Sequence, residues 1–288
     1  STLRGGDGPR YRPPGEDGAP YETISVDKLT PVIGAEVGGV DLARPSNRQM
    51  DEIHRALAEN SVIFFRDQQL TPEQHLDFGC RFGPLHLHPA APHAPGHPEL
   101  MIIHADKDSP RANGEGWHSD VSCDLEPPMG SILYITTCPP HGGDTMFASM
   151  YAAYDTLPEA MKAKLEPLRG VNYYDPTSDY VVRKGPPSEK ALRWTHPVIR
   201  VHPATGRKAL YVNRLMTFGI EGMDPAEGDA LLAYLFDHQE QRQFIYRHVW
   251  RPGDVILWDN RCTLHARTDF SPDERRLLRR ITVQTESA

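Results

Sequence analysis

Turn residues divide the second half of the chain into short segments rich in β-forming residues, and this pattern constrains the fold more than any other feature. The segments cover 131–136, 198–202, 209–212, 244–250 and 255–258. Turn sequences such as PATG at 203–206 and RPGD at 251–254 separate them. Because many short strands with few helices are typical of sheets that pack on each other or close on themselves, we predict a β-sandwich or barrel core.

A small number of helices is predicted around this core. Apolar residues recur on one face of a helix over 50–60. Thr71 and Gln74 can form a capping box at the start of a second helix. Further helices are predicted over 158–165 and 225–239, and strands over 32–40 and 61–66. The fold class is therefore mainly β with flanking helices.

The first 21 residues differ in composition from the rest of the chain. They are rich in Gly, Pro, Arg and Asp and have almost no apolar periodicity. A segment of this kind cannot bury enough surface to offset the entropy lost on ordering. We expect a flexible N-terminal arm over 1–21 and one packed domain over 22–288.

Charge and hydropathy exclude several classes of partner. The chain has 31 basic and 39 acidic residues, a formal net charge of −8, and no basic stripe, so a nucleic-acid partner is not expected. No apolar run approaches the length of a membrane span, and we expect a cytoplasmic protein without membrane contact. The four cysteines lack a C-x-x-C pair and are expected to be buried small hydrophobic residues: Cys80, Cys123, Cys138 and Cys262.

Two histidines and one aspartate form the candidate chemical centre. His118 and Asp120 belong to an H-x-D motif, and His265 lies far downstream at the end of the segment WDNRCTLH. Two imidazoles and one carboxylate can occupy one face of an Fe(II) ion and leave the opposite positions open for a co-substrate and O₂. Because alternate residues of a strand face the same side, His118 and Asp120 can bind one ion while Ser119 points away.

Other histidine motifs show that the H-x-D pattern alone is weak. Asp follows two places after a histidine roughly 6% of the time, so about one chance match is expected among the 14 histidines. His104 and Asp106 form such a second motif on a predicted strand, and we expect it to bind no metal. A metal site built from His86, His88, His93 and His97 is conceivable, but a polar loop is the more usual form of histidines interrupted by prolines.

More specific segments accompany His118. They are GWHSDVS at 116–122, the proline pair 127–128, GGDTMF at 142–147 and WDNR at 258–261, followed by His265, Arg276 and Arg280. In this order they resemble the taurine and 2,4-dichlorophenoxyacetate dioxygenase family of Fe(II)/2-oxoglutarate-dependent enzymes, over about 29–283. The resemblance implies a double-stranded β-helix core, also called a jelly roll or cupin-like fold.

The resemblance also implies which residues bind the cofactors. His118, Asp120 and His265 would be the Fe(II) ligands. Arg276, helped by the hydroxyl of Thr145, would bind the distal carboxylate of 2-oxoglutarate, since a guanidinium group pairs with a carboxylate through two parallel hydrogen bonds. The run 274–280 contains four arginines, and strand alternation predicts that 276, 278 and 280 face the pocket while 275, 277 and 279 do not.

Four positions are candidates for contact with the primary substrate. His88 and Arg280 match the residues with which taurine-using members hold the sulfonate. Ala91 and Met216 stand where those members have aromatic residues. Losing two aromatic walls enlarges a pocket, and methionine adapts to a bulky apolar surface. We therefore expect an anionic substrate larger than taurine, with its acid group toward Arg280 and its apolar body toward Ala91 and Met216.

The implied activity is oxidation of a substrate C–H bond by O₂, coupled to decarboxylation of 2-oxoglutarate to succinate and CO₂. If the oxidised carbon bears a sulfonate, sulfate ester or aryl ether oxygen, the product collapses and releases that group. One alternative is hydroxylation, desaturation or epoxidation of a larger natural-product acid such as a terpenoid. A second is a non-catalytic jelly roll that binds a small acid, although such a protein would not need the complete set of metal and 2-oxoglutarate residues. A homodimer or tetramer is expected from the resemblance.

Overall fold

Strands dominate the computed structural model, which describes residues 19–87, 92–108, 116–174 and 191–284. Its helices in these ranges are α1 (Asn47–Asn60), α2 (Pro72–Cys80), α3 (Met150–Asp155), α4 (Glu159–Leu165), α5 (Pro225–Gln239) and a 3₁₀ helix (Arg242–Phe244). Its strands are β1 (Ser25–Lys28), β2 (Ala35–Gly38), β3 (Val62–Phe65), β4 (His93–Ala94), β5 (His97–Ala105), β6 (Gly130–Thr137), β7 (Thr145–Ser149), β8 (Arg169–Tyr174), β9 (Leu192–Pro197), β10 (Ile199–Val201), β11 (Lys208–Leu210), β12 (Thr217–Ile220), β13 (Ile245–His248), β14 (Val255–Asp259), β15 (Thr263–Arg267) and β16 (Arg276–Val283). The prediction of a mainly β chain with few helices is confirmed.

One large sheet and smaller sheets are formed by these strands. The large sheet has the order β1-β2-β3-β14-β6-β16-β5-β4, and its pairs are antiparallel except for β2 with β3. The smaller sheets have the orders β13-β7-β15, β12-β8-β9 and β10-β11. Strands that are distant in sequence, such as β6 and β16, are therefore neighbours, which brings residues from both halves of the chain together.

Capping residues determine where three of the helices begin. Ser46 and Thr71 cap α1 and α2, and in both cases the glutamine three residues later completes a capping box. Asp224 caps α5 by accepting two backbone N–H groups. The predicted helix over 225–239 is confirmed, and α1 begins before the predicted position 50 because Ser46 is its cap. No helix in the described ranges is long and apolar enough to cross a membrane.

The predicted strand over 244–250 differs from the observed structure. Its first part belongs to the 3₁₀ helix, and β13 ends at His248. The reason is the partner strand: β13 pairs with β7, whose first residue, Thr145, lies opposite His248. Beyond that point no strand in the described ranges continues the hydrogen-bonded ladder, and the chain enters the turn at 251–254.

The central strand β14 of the large sheet is buried on both faces, as its alternate residues show. Val255 and Leu257 pack with residues of α1 and α2, while Ile256 and Trp258 pack with residues of the sheet β13-β7-β15. Trp258 is the largest fully buried side chain in the described residues. It contacts Phe147 of β7 at a ring-centroid distance of 5.4 Å. The candidate site lies next to Trp258, between these two sheets.

His75 on α2 makes the fold sensitive to acid. Its side chain is fully buried and lies edge-on to Tyr134, with ring centroids 6.0 Å apart. Burial, followed by the charge of the nearby Arg279, lowers the pKa of His75 from 6.5 to about 3. The unfolded chain therefore binds a proton more readily than the folded one between these two pH values. The stability that His75 contributes is complete above pH 6.5 and is lost as the pH falls toward 3.

We expect replacement of His75 by leucine to remove part of the acid sensitivity. Between pH 7 and pH 5 the free energy of unfolding of the native protein should fall by roughly 2 kcal/mol more than that of His75→Leu, since one pKa unit corresponds to about 1.4 kcal/mol. Urea unfolding at several pH values measures this difference. Phe78→Leu, at another buried position of the same helix, is the control, because it changes stability without adding or removing a titrating group. Parallel pH curves for the native protein and His75→Leu would contradict the assignment.

Candidate metal centre and active site

The two candidate histidine ligands are joined by their backbones. His118 donates its N–H to the carbonyl of His265 at 3.0 Å, and His265 donates to the carbonyl of His118 at 2.9 Å. His265 lies in β15, whereas His118 forms an isolated antiparallel bridge outside the named strands. Their rings are 4.2 Å apart at the centroids. This bridge brings together two imidazoles that are far apart in sequence.

The position of Asp120 corrects one detail of the sequence analysis. The segment from His118 to Asp120 is not a continuous strand, because Asp120 already begins a turn and Val121 has a positive φ of 49°. The carboxylate nevertheless lies beside both imidazoles. Asp120 Oδ1 is 3.8 Å from His118 Nε2 and 3.6 Å from His265 Nε2. Ser119 does point away, and its hydroxyl donates to the carbonyl of Asn260 at 2.7 Å.

The second carboxylate oxygen of Asp120 is occupied by protein groups. Asp120 Oδ2 accepts from Ser131 Oγ at 2.9 Å and from Asn260 Nδ2 at 3.2 Å. It also lies 2.5 Å from a guanidinium nitrogen of Arg280. Among the described residues no such donor contacts Oδ1, which faces the Nε2 atoms of His118 and His265. The carboxylate is therefore oriented with Oδ1 toward the point that His118 and His265 share.

The protonation states of these three side chains suit the binding of a cation. Burial raises the pKa of the Asp120 carboxyl, but Arg280 and the two imidazoles outweigh burial and hold that pKa well below its usual range. Burial lowers the pKa of His118, and burial with the neighbouring His118 lowers the pKa of His265 well below 6.5. At neutral pH the site contains one anionic carboxylate and two neutral imidazoles. Neutral imidazoles have the free lone pair that a metal requires.

The donor set fits a divalent first-row metal. The three ligand atoms lie within 4.8 Å of one another, and nitrogen or oxygen ligands sit roughly 2.0–2.2 Å from such an ion. His118 Nδ1 contacts the carbonyl of Gly116 at 2.7 Å, which directs Nε2 toward the site. His265 Nδ1 has no partner among the described residues. Asp120 Oδ1 and the Nε2 atoms of the two histidines are therefore close enough together to bind one ion.

The other histidine motifs are not assembled into such a set. His104 lies near the end of β5, about one-third exposed, with Asp106 at 3.5 Å, and the pair belongs to no metal-capable group in the described ranges. Of the four histidines at 86–97, His88 lies outside the described residues, and His97 pairs with Glu73 at 3.0 Å. His93 lies in β4 and His97 begins β5, so these two histidines are in strands and not in the expected polar loop. In the described ranges no metal-capable group contains a histidine from this segment.

A second metal-capable group, His202, Asp259 and Cys262, is fully buried. Its polar atoms are already paired with protein groups. Asp259 accepts from Arg261 at 2.9 and 2.6 Å and contacts His202 Nε2 at 2.9 Å. Burial raises the pKa of the Cys262 thiol, which keeps its proton at neutral pH. Because a guanidinium group already neutralises the carboxylate, we interpret this group as structural.

A buried cation lies on β16, the strand whose Arg280 contacts Asp120. Arg276 is 6% exposed, and its Nε has no hydrogen-bond partner within the described part of the chain. Burial, followed by the charge of Arg267, lowers the pKa of Arg276 to about 10, so the group stays protonated at neutral pH. Its guanidinium carbon lies 6.0 Å from the ring centroid of Trp250. Trp250 Nε1 donates to Thr145 Oγ1 at 3.0 Å, so one indole contacts both predicted 2-oxoglutarate residues.

The arginine run follows the predicted alternation. Arg276 and Leu278 are buried toward the site, and Arg280 reaches Asp120. Arg279 lies on the opposite face, over the ring of Tyr134, and Arg275 is exposed. The predicted strand is confirmed over 276–280, with one irregularity in the β16–β6 pairing at 277–278, whereas Arg275 directly precedes it.

Two other site residues were missed by the sequence analysis. Arg267 is 8% exposed and lies close enough to Arg276 to lower its pKa. Its position two residues after His265 on β15 was a usable signal, because alternate residues share a face. Trp250 gave no such signal, since its contact with Thr145 joins residues that are distant in sequence.

The structure describes two of the four candidate substrate residues. His88 and Ala91 lie outside the described residues. Met216 is buried, and its sulfur accepts a hydrogen bond from Ser122 at 3.3 Å. Arg280 is 18% exposed at its side chain and donates to Ser131 at 3.0 Å as well as contacting Asp120. A cavity of about 160 Å³ is lined by His86, Val121, Asp124, Glu126, Pro128 and Gln284.

Comparison with known proteins agrees with this geometry. Two imidazoles and one carboxylate around one point are the ligand set of non-haem Fe(II) oxygenases. The family model described as "Taurine catabolism dioxygenase TauD, TfdA family" matches residues 25–282. The chain therefore belongs to this family, and it is an Fe(II)- and 2-oxoglutarate-dependent dioxygenase that uses O₂.

Individual relatives cover most of the chain. The α-ketoglutarate-dependent 2,4-dichlorophenoxyacetate dioxygenase of Cupriavidus pinatubonensis is 35% identical over 283 residues, covering 90% of this chain and 97% of that protein. The alkylsulfatase of Acinetobacter baylyi is 34% identical over 279 residues, covering 93% and 87%. The crystal structure of a taurine dioxygenase from Burkholderia xenovorans is similar with a TM-score of 0.81 and 37% identity, covering 92% of each chain. The expectation of an oxidative enzyme is confirmed.

Proposed function

We propose that His118, Asp120 and His265 bind the Fe(II) ion and that Arg276 and Thr145 bind the distal carboxylate of 2-oxoglutarate. When bound, the iron supplies the oxidising chemistry, using O₂ and electrons from the decarboxylation of 2-oxoglutarate to succinate and CO₂. The protein fixes the ligands on one side and keeps water away from the buried centre.

The observation that carries this assignment is a buried arginine, Arg276, that has no carboxylate within ion-pair distance among the described residues and shares a face of β16 with Arg280, which contacts the metal-capable group. Such a cation is costly to bury unless an anion completes its environment. A dicarboxylic acid bound at the metal through its keto-acid end presents its other carboxylate at a distance. Arg276 and the Thr145 hydroxyl, which both contact Trp250, are the groups that would receive that carboxylate.

The primary substrate, we propose, is an organic anion of the sulfonate, sulfate ester or aryloxyacid type. Arg280 lies on the same face of β16 as Arg276, beside Asp120, and offers guanidinium N–H groups at the metal-capable centre. The similar proteins are named for 2,4-dichlorophenoxyacetate, alkyl sulfates and taurine, and each of these compounds carries an acid group. Hydroxylation of the carbon next to the heteroatom gives an unstable product that loses sulfite, sulfate or a phenol.

We further propose that Arg280 and His88 bind the acid group of the substrate and that its apolar body extends toward Ala91 and Met216. The buried thioether of Met216 supports an apolar wall on its side. The double-stranded β-helix is the proposed form of the core, with 22–288 as one domain and 1–21 as a flexible arm. A cytoplasmic location and a homodimer or tetramer stay predictions.

Replacement of Arg280 by alanine tests the anion site. We expect the KM for the organic acid to rise by at least about tenfold, because a charged hydrogen-bond partner is lost, while the KM for 2-oxoglutarate stays within about threefold at saturating Fe(II). Steady-state kinetics with each substrate varied in turn measures both constants. Arg279→Ala is the matched control, since Arg279 lies on the opposite face of β16. An unchanged KM for the organic acid in Arg280→Ala would contradict the proposal.

A further inference from the structure

The turn between β14 and β15 carries a buried amide that contacts the candidate carboxylate ligand. Asn260 is 1% exposed. Its Oδ1 accepts a hydrogen bond from Trp258 Nε1 at 2.9 Å and from the backbone N–H of Asp120 at 3.4 Å. Both partners can only donate, so the oxygen of the amide must face them. The Nδ2 group therefore faces Asp120 Oδ2, to which it donates at 3.2 Å.

Asn260 contacts the H-x-D segment at three points. Besides the two contacts with Asp120, the backbone carbonyl of Asn260 accepts from Ser119 Oγ at 2.7 Å. The backbone N–H of Asn260 donates to the carbonyl of Met129 at 2.8 Å. Because His118 forms only a single bridge to β15 and Asp120 lies in a turn, regular strand pairing does not hold the segment in place. The contacts with Asn260 provide that support.

The turn that carries Asn260 is fixed independently of the metal-capable centre. The Asp259 carboxylate accepts from Arg261 and contacts His202 Nε2 at 2.9 Å. His202 Nδ1 accepts the backbone N–H groups of Ala204 and Thr205, both at 3.2 Å, so the ring proton is on Nε2 and is donated to Asp259. These partners are not metal-ligand candidates of the first group, so the position of the Asn260 amide does not depend on a bound metal.

We propose that Asn260 is a positioning residue that keeps Asp120 Oδ2 occupied, so that the carboxylate offers only Oδ1 to the metal. This inference rests on the proposed metal site. A carboxylate that binds through one oxygen leaves more positions open for 2-oxoglutarate and O₂ than one that binds through both. Without the Asn260 donor, Asp120 Oδ2 keeps its contacts with Ser131 and Arg280. The carboxylate is then held by two groups instead of three, and its rotation is less restricted.

The sharpest test is the nearly isosteric variant Asn260→Asp. It keeps an acceptor for Trp258 and places a second oxygen, in place of the amide N–H, against Asp120 Oδ2. We expect Mn(II) affinity, measured from the free-ion signal in electron paramagnetic resonance, to fall by roughly 10- to 100-fold, as for other outer-shell partners of metal ligands. The visible absorption of the Co(II)-substituted protein should also change, because it reports ligand geometry rather than stability.

Asn172→Asp is the matched control. Asn172 is equally buried, donates to the carbonyl of Gly170 at 3.1 Å and accepts from Thr217 at 2.7 Å, on β8 outside the metal-capable group. Its variant introduces a buried carboxylate in the same way and should leave both the Mn(II) affinity and the Co(II) spectrum unchanged. If Asn260→Asp does not fold, Asn260→Ser tests the same contact without added charge.

Three outcomes separate this inference from the function on which it rests. A folded Asn260 variant with wild-type Mn(II) affinity and a wild-type Co(II) spectrum overturns the positioning role and leaves the metal site standing. Equal losses in Asn260→Asp and Asn172→Asp also overturn it, because the effect would then be general to buried carboxylates. Failure of the folded wild-type protein to bind Mn(II) overturns the metal site itself and the inference with it.

Discussion

Replacing Asp120 by alanine is expected to abolish turnover and to weaken Fe(II) binding by more than the roughly 10- to 100-fold loss typical of outer-shell partners. Two imidazoles alone do not define one face of an ion. The change also leaves the partly buried Arg280 without its carboxylate partner, which adds repulsion toward a cation. His118→Ala and His265→Ala are expected to have the same result. Metal titration of the folded variants, followed by assays of succinate production, measures both effects.

His104→Ala is the control for these three variants. His104 and Asp106 have the same sequence pattern as His118 and Asp120, but they lie at the end of β5 and belong to no metal-capable group in the described part of the protein. We expect His104→Ala to bind Fe(II) and turn over as the wild type does. Loss of metal binding in His104→Ala, together with its retention in Asp120→Ala, would mean that the wrong pair was assigned.

The second large effect is expected for 2-oxoglutarate in Arg276→Ala. Removing Arg276 leaves the distal carboxylate of the co-substrate in a largely buried site without its partner, at a cost of about 2–5 kcal/mol. The apparent KM for 2-oxoglutarate should therefore rise by a factor on the order of 30 to several thousand. Steady-state kinetics at saturating Fe(II) and organic substrate measures the change. Binding of 2-oxoglutarate to the Mn(II)-loaded protein gives an independent value.

Arg275→Ala provides the comparison within the same run of arginines. Arg275 is exposed, directly precedes β16, and contacts the exposed side chain of His104 at 3.3 Å. Its removal should leave the KM for 2-oxoglutarate nearly unchanged. Equal increases in Arg275→Ala and Arg276→Ala would show that general surface charge, and not the position of Arg276 at Trp250, attracts the co-substrate.

Local signals in the sequence predicted much of the fold. The cap at Asp224 defined α5, and the alternation along β16 placed Arg276 and Arg280 on one face and Arg279 on the other. These predictions succeeded because capping and strand alternation depend on neighbouring residues only. The end of β13 was not predictable in this way, since it depends on where the partner strand β7 begins at Thr145.

The candidate site shows the same division between local and long-range information. The ligand identities followed from residue types and motif order, but the strand expected at His118 and Asp120 is a single bridge followed by a turn. The contact of Arg280 with Asp120 was also not predicted, because sequence assigned Arg280 only to the substrate. The sequence analysis included Asn260 in the WDNR segment but assigned it no role. Its role depends on contacts with Trp258 and Asp120 that only the folded chain brings together.

Succinate formation by the wild-type protein tests the central claim most directly. The protein with Fe(II), 2-oxoglutarate and O₂ is incubated with taurine, larger sulfonates, alkyl sulfate esters, aryloxyacids and terpenoid acids in separate reactions, and succinate and the oxidised product are quantified. We predict one succinate per molecule of product from at least one sulfonate, sulfate ester or aryloxyacid larger than taurine, with little from taurine. Efficient turnover of taurine without gain from larger acids, or succinate that no anionic compound increases, would contradict the account.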